Sequence, residues 1–79
     1  MIVKVKLFAS LREYYPDVQL GESFDLHLEP GATISQLYKQ LGIPEEQIKI
    51  TFVNGLHGEP DDKLSANDEV GIFPPIGGG

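Results

Sequence analysis

Apolar and polar positions alternate at the start of the chain, with Val3, Val5 and Leu7 in one phase and Ile2, Lys4, Lys6 and Phe8 in the other. A period of two predicts a half-buried strand, because successive side chains of a strand point to opposite faces. Ser10-Leu11-Arg12-Glu13 has capping-box spacing, Ser10 accepting from a backbone N–H and Glu13 reaching back, and Pro16 stops the short helix this predicts. Phe24, Leu26 and Leu28 then recur at every second residue before Pro30-Gly31, giving a second strand, antiparallel to the first. At Thr33 the period changes. Thr33-Ile34-Ser35-Gln36 is another capping box, and Ile34, Leu37, Tyr38 and Leu41 fall on one face of a helix. Gly42 suits the left-handed C-terminal position, and Pro44 prevents continuation and opens one extra turn through Glu45, Glu46 and Gln47. Ile50 to Val53 is a third strand that turns back at Asn54-Gly55. Glu59 to Asp68 is polar and rich in turn residues, and Glu69 to Phe73 is the last strand, with Val70 and Ile72 in its inward phase.

Strand, strand, helix, strand, short strand, strand is the order of the β-grasp (ubiquitin-like) roll, an α+β fold. It implies a mixed sheet of four to five strands with one main helix packed on one face, the first and last strands lying parallel at its centre. The 41% hydrophobic content is that of a globular chain. One β-grasp domain over residues 1–73 is expected, followed by a flexible Gly-Gly tail over residues 74–79. A domain this small buries only about 60% of its unfolded surface, which leaves no room for an internal cleft of ordinary size.

The chain has no cysteine, which excludes a disulfide framework, a thiolate metal site and a cysteine nucleophile. A formal net charge of -6 with six scattered Lys and Arg counts against nucleic acid and fits a basic protein partner, although solubility alone also explains it. Apolar runs of a few residues give no membrane span, and Met1 to Lys6 reads as a strand rather than a leader, so the expected compartment is the cytoplasm. His27 and His57 lie thirty residues apart with no neighbouring ligand spacing, and no metal is expected on them. Asp61 with Asp62 and Glu45 with Glu46 are adjacent carboxylates that do not converge on one bond; solvated turns account for them.

The sequence closes on Phe73-Pro74-Pro75-Ile76-Gly77-Gly78-Gly79. The prolines fix φ and cannot donate to a ladder, so they end the strand and direct the tail away from the body. Glycine lacks Cβ, so such a tail threads a slot too narrow for other residues and leaves the carboxylate of Gly79 sterically uncovered. Six residues from Pro74 to Gly79 span roughly 20 Å when extended.

Taken together, Val3 to Glu13, Pro30-Gly31-Ala32-Thr33-Ile34, Val53-Asn54-Gly55, Asn67-Asp68-Glu69-Val70 and Phe73 to Gly79 resemble the small subunit of molybdopterin synthase, a family of ubiquitin-like sulfur carriers. The resemblance runs from end to end. It implies that an activating enzyme adenylates Gly79, that sulfur replaces the adenylate to give a thiocarboxylate, and that the large synthase subunit passes this sulfur to cyclic pyranopterin monophosphate. Gly78 is then the permissive neighbour. A heterotetramer with the large subunit is implied. In this family the residue before the final Gly-Gly is often small but not glycine; Gly77 departs from that and bears on tail stiffness.

An α-carboxyl with a pKa of roughly 3.3 to 3.7 is ionised at neutral pH and can attack the α-phosphate of ATP. The chain has no phosphate loop, so no cofactor is expected on it and the ATP belongs to the activating partner. The protein is thus expected to be a sulfur-donor subunit, not catalytic alone. Strand phase turns Phe8 and Phe73 away from the helix-covered core as a partner-binding patch, which Leu56 at the Asn54-Gly55 turn extends; Pro74, Pro75 and Gly77 complete the partner-contacting set. A core position for the two rings, under the Ser10 to Tyr15 segment, is the alternative, and Tyr14 and Tyr15 are expected to cap the core edge. Three other roles share these features: sulfur carrier for thiamine thiazole synthesis, ubiquitin-like modifier forming isopeptides through Gly79, and binding module with an inert tail.

Overall fold

Residues 1–75 are described by the computed structural model. Five strands, β1 (Ile2–Leu7), β2 (Phe24–His27), β3 (Ile50–Val53), β4 (Leu56–Gly58) and β5 (Glu69–Phe73), form one sheet of order β2-β1-β5-β3-β4. β1 and β5 are parallel and central; the other pairs are antiparallel. One helix, α1 (Ile34–Leu41), crosses one face, and two 3₁₀ segments, Ala9–Tyr14 and Glu45–Gln47, lie in the connections. This is the β-grasp roll.

The alternation read in β1 sorts its side chains as expected. Val3, Val5 and Leu7 are buried with Val70 and Ile72 of β5, and Ile34, Leu37, Tyr38 and Leu41 of α1 cover them. Burying a side chain of this size contributes about 1.5 to 3 kcal/mol, so the shared apolar phase is what holds α1 on the sheet.

Local chemistry sets the ends of α1. Thr33 Oγ1 accepts from the Gln36 N–H at 3.2 Å, while Gln36 Oε1 accepts from the Thr33 N–H at 2.8 Å. Gly42 closes the helix with φ 78°, its N–H donating to the Tyr38 carbonyl at 3.0 Å. Asn54 and Gly55 both take positive φ, the conformation a two-residue hairpin between β3 and β4 requires. Asn54 also fastens that hairpin to β5, since its Oδ1 accepts from the Glu69 N–H and its Nδ2 donates to Asp68.

One expectation needs correction. The Ser10 to Glu13 box does not form: the 3₁₀ segment begins at Ala9, its N-cap is Phe8, and no side chain caps it. Ala9 has already turned, with φ 52°, so Ser10 lies inside the segment and not at its mouth. The polar stretch from Glu59 to Asp68 also contributes to the core, because Leu64 is buried there and its N–H donates to the Ala32 carbonyl. A single apolar residue among turn signals carries no period by which to be found.

Candidate functional site

The face of the sheet opposite α1 carries the outer phase of each strand. Phe8 follows β1 and stays in the ladder through its N–H, which donates to the Ile72 carbonyl at 3.2 Å. Phe73 ends β5, its carbonyl accepting from the Lys49 N–H at 2.8 Å. Their rings stack with centroids 4.0 Å apart and planes 8° from parallel. Phe52 of β3 meets Phe73 edge-on at 5.8 Å and 89°. The edge-on contact is a favoured arrangement for aromatic pairs, while the stack is tighter than the usual centroid separation of about 4.5 to 7 Å.

Gly71 lies beneath this stack. A Cβ on it would lie 3.3 Å from Phe8 Cε2, so that ring would have to give slightly, and at ordinary contact distance, 3.8 Å, from Phe73 Cε1. The three aromatics and Gly71 line a surface cavity of about 360 Å³, with Lys4 and Lys6 of β1 on its wall. Phe8 and Phe73 are half-buried, each ring shielding the other, so the patch is less open than two free aromatics. Neither ring belongs to the core under α1.

Leu56 does not extend this cavity. The β3–β4 register pairs it with Val53, whose phase packs toward the core, while His57 pairs with Phe52 and meets it edge-on at 6.5 Å and 78°. Leu56 is 74% exposed at the sheet corner, and His57 is the residue that continues the aromatic face. A two-residue turn fixes that register, so the phase was readable from Asn54-Gly55. Phe52 escaped notice because the polar residue of Ile50-Thr51-Phe52-Val53, Thr51, is the buried one, so polarity points to the wrong face. Pro74 is half-buried and Pro75 exposed. Gly77, Gly78 and Gly79 lie outside the described residues.

The remaining candidates are dispersed. His27 sits on β2, its carbonyl accepting from Gln40 Nε2 at 2.6 Å, and His57 Nδ1 is 3.5 Å from Glu59 Oε1. Among the described residues, no three His, Asp or Glu side chains gather as a metal site would require. Tyr15 stacks on Phe24 at 4.5 Å against the core, as a capping residue does, whereas Tyr14 reaches out to Gln47 at 2.6 Å. Within the core, Tyr38 Oη and Thr51 Oγ1 share a hydrogen bond of 2.6 Å. Burial raises the Tyr38 pKa, the bond to Thr51 opposes that rise, and Glu45 and Glu59 add to it. No helix among the described residues is long and apolar enough to cross a membrane.

A mixed five-stranded sheet of this order under one helix places the chain among the ubiquitin-like β-grasp proteins. The ThiS family model matches residues 5–79, and the chain belongs to that family of sulfur carriers. Among solved structures, a Pyrococcus furiosus protein assigned as molybdopterin converting factor subunit 1 is 25% identical, with 96% of this chain and 99% of that one covered and a TM-score of 0.75. SAMP1 of Haloferax volcanii is 22% identical over 100% of both chains, TM-score 0.75. A chain in the complex of subunits 1 and 2 of molybdopterin-converting factor from Helicobacter pylori is 19% identical over 100% of both, TM-score 0.62. The last two likenesses speak for the fold. Among proteins of curated function, none matched.

Proposed function

We propose that this chain is the small, sulfur-carrying subunit of molybdopterin synthase. The observation that carries the reading is the 25% identity to the Pyrococcus furiosus subunit 1 over nearly the whole of both chains. Its chemistry begins at Gly79. A carboxylate oxygen attacks the α-phosphate of ATP on an activating enzyme and expels pyrophosphate. Hydrosulfide-level sulfur released by a partner then attacks the acyl carbon, AMP leaves with the original oxygen, and the thiocarboxylate remains. The thiocarboxylate passes its sulfur to cyclic pyranopterin monophosphate on the large subunit, and water restores the carboxylate. A chain with no cysteine has to carry sulfur on an acyl carbon, and tethering it to a folded domain raises its local concentration while keeping sulfide out of solution.

Docking uses the face opposite α1, where Phe8, Phe73 and Phe52 supply apolar area next to the strand that leads to the tail. The complex of subunits 1 and 2 from Helicobacter pylori supports a large-subunit partner. Two measurements test the reading. Intact-mass analysis of the protein isolated without reductive stripping is expected to find an oxygen-to-sulfur increment on the C-terminal peptide, and deletion of Gly79 is expected to abolish dithiolene formation with the fold intact. Normal dithiolene formation by the truncated chain would sink the proposal, and isopeptide linkage to lysines without sulfur transfer would replace it with a modifier role. Phe73→Ala is expected to weaken large-subunit binding by about 2 kcal/mol or more, as an aromatic hot spot does, with little loss of monomer stability.

A further inference from the structure

The chain is acidic overall, yet its aromatic face carries basic side chains. The formal net charge is -6, yet two of the six basic residues, Lys4 and Lys6, stand in the outer phase of β1 beside the Phe8–Phe73 stack. They are not equivalent. Lys4 donates to Asp25 at 3.1 Å, and the parallel register sets it opposite Glu69, so that end of the cavity is already supplied with carboxylates. Lys6 stands opposite Gly71, is half-buried on the cavity wall, and makes no ion pair among the described residues.

A partner that seals the cavity strips Lys6 of the water its ammonium now uses. An apolar partner would leave that charge uncompensated, whereas a carboxylate arriving with the partner would meet it in the lowered dielectric of the interface. Shifting such a carboxylate toward Lys4 would bring it against Asp25 and Glu69, which fixes its position at Lys6. On the reading that this face docks the large subunit, we infer that Lys6 is a specificity residue of the docking face, and that the cavity takes a large-subunit segment carrying one Asp or Glu side chain beside an apolar one. The apolar side chain rests on the Phe8–Phe73 stack, and the carboxylate accepts from Lys6 Nζ. The inference runs against the global charge: an acidic carrier is expected to bind a generally basic partner through an acidic residue at the centre of contact.

The test is calorimetric titration of the full chain with subunit 2 of molybdopterin-converting factor from the same organism, repeated over a salt series. Lys6→Glu is expected to weaken binding at least about tenfold, Lys6→Gln less, and Lys6→Arg to bind nearly as wild type. The salt dependence is expected to shrink in Lys6→Gln, and an acid-to-lysine change at the facing site on subunit 2 to restore binding of Lys6→Glu. Thermal melts of each variant check the fold, and Lys6→Gln gives the reading if Lys6→Glu unfolds. Wild-type affinity in Lys6→Glu or Lys6→Gln, alongside weakened Phe73→Ala, would overturn the inference and leave the docking face standing. Wild-type affinity in Phe73→Ala, or no binding by the wild type, would overturn both.

Discussion

Two hydroxyls meet inside the core at Tyr38 and Thr51, 2.6 Å apart, and Thr51 is only 2% exposed. Such a bond contributes about 1 kcal/mol net, and removing one member leaves the other short of a buried partner. Tyr38→Phe is therefore expected to lower stability by about 1 kcal/mol at neutral pH, read by denaturant unfolding. The pH dependence has a definite sign. Because burial raises the Tyr38 pKa, its contribution is fully present below the unfolded value of about 10 and is lost as pH rises through the higher folded value. Tyr38→Phe should flatten the alkaline limb of the stability curve, measured against wild type between about pH 9 and pH 11; equal slopes would contradict a buried phenol. Tyr38 was legible in the sequence as one of four positions on the apolar face of a helix. Its partner thirteen residues on was not, because no local spacing encodes a contact made by packing a helix over a strand.

At the scale of elements, α1 lies on β4 as well as on the central pair, and the contact is close. A Cβ on Gly58 would come 2.6 Å from Ile34 Cδ1 and 3.3 Å from Val53 Cγ2, and Ile34 is fully buried. Gly58→Ala is expected to cost about 1 to 3 kcal/mol through overpacking, and shortening Ile34 to Val in the same chain should recover part of it in a double-mutant cycle. Strictly additive losses would show that the two do not touch. The boundaries of α1 were legible because Thr33, Gln36 and Gly42 act within one turn of the backbone they cap. The same four-residue spacing at Ser10 misled, since Ala9 turns the chain before Ser10 can cap anything. Phe8 and Phe73 could be placed on the outer face by phase alone. Gly71, which lies beneath their stack, could not, because a glycine shows its purpose only when the atoms around it are known.

For the molecule as a whole, the order of elements pointed to the β-grasp roll, and the central parallel pair of β1 and β5 comes with that order. What composition suggested about partners was less complete: a net charge averages over a surface, and the aromatic face is edged by lysines on an acidic protein. The central pair also divides the chain into parts that cannot stand alone. β5 pairs with both β1 and β3, so a chain ending at Asp68 loses the strand between them and is expected to be unfolded by circular dichroism, whereas one ending at Pro75 retains every described strand. A native spectrum from the shorter chain would contradict this account of the sheet.

The partnership of β1 with β5 has a consequence for biosynthesis. Residues 2 to 7 leave the ribosome before residues 69 to 73, the strand that completes their sheet, so β1 waits with one side unpaired until the rest of the domain has been made. Pairings this distant in sequence are slow to form and leave strand edges open meanwhile. The domain can therefore close only after translation has passed Phe73. A nascent chain stalled or cut before that point stays open to proteases and chaperones, so folding itself acts as a check on synthesis, and every molecule that passes it bears the strand from which the tail departs.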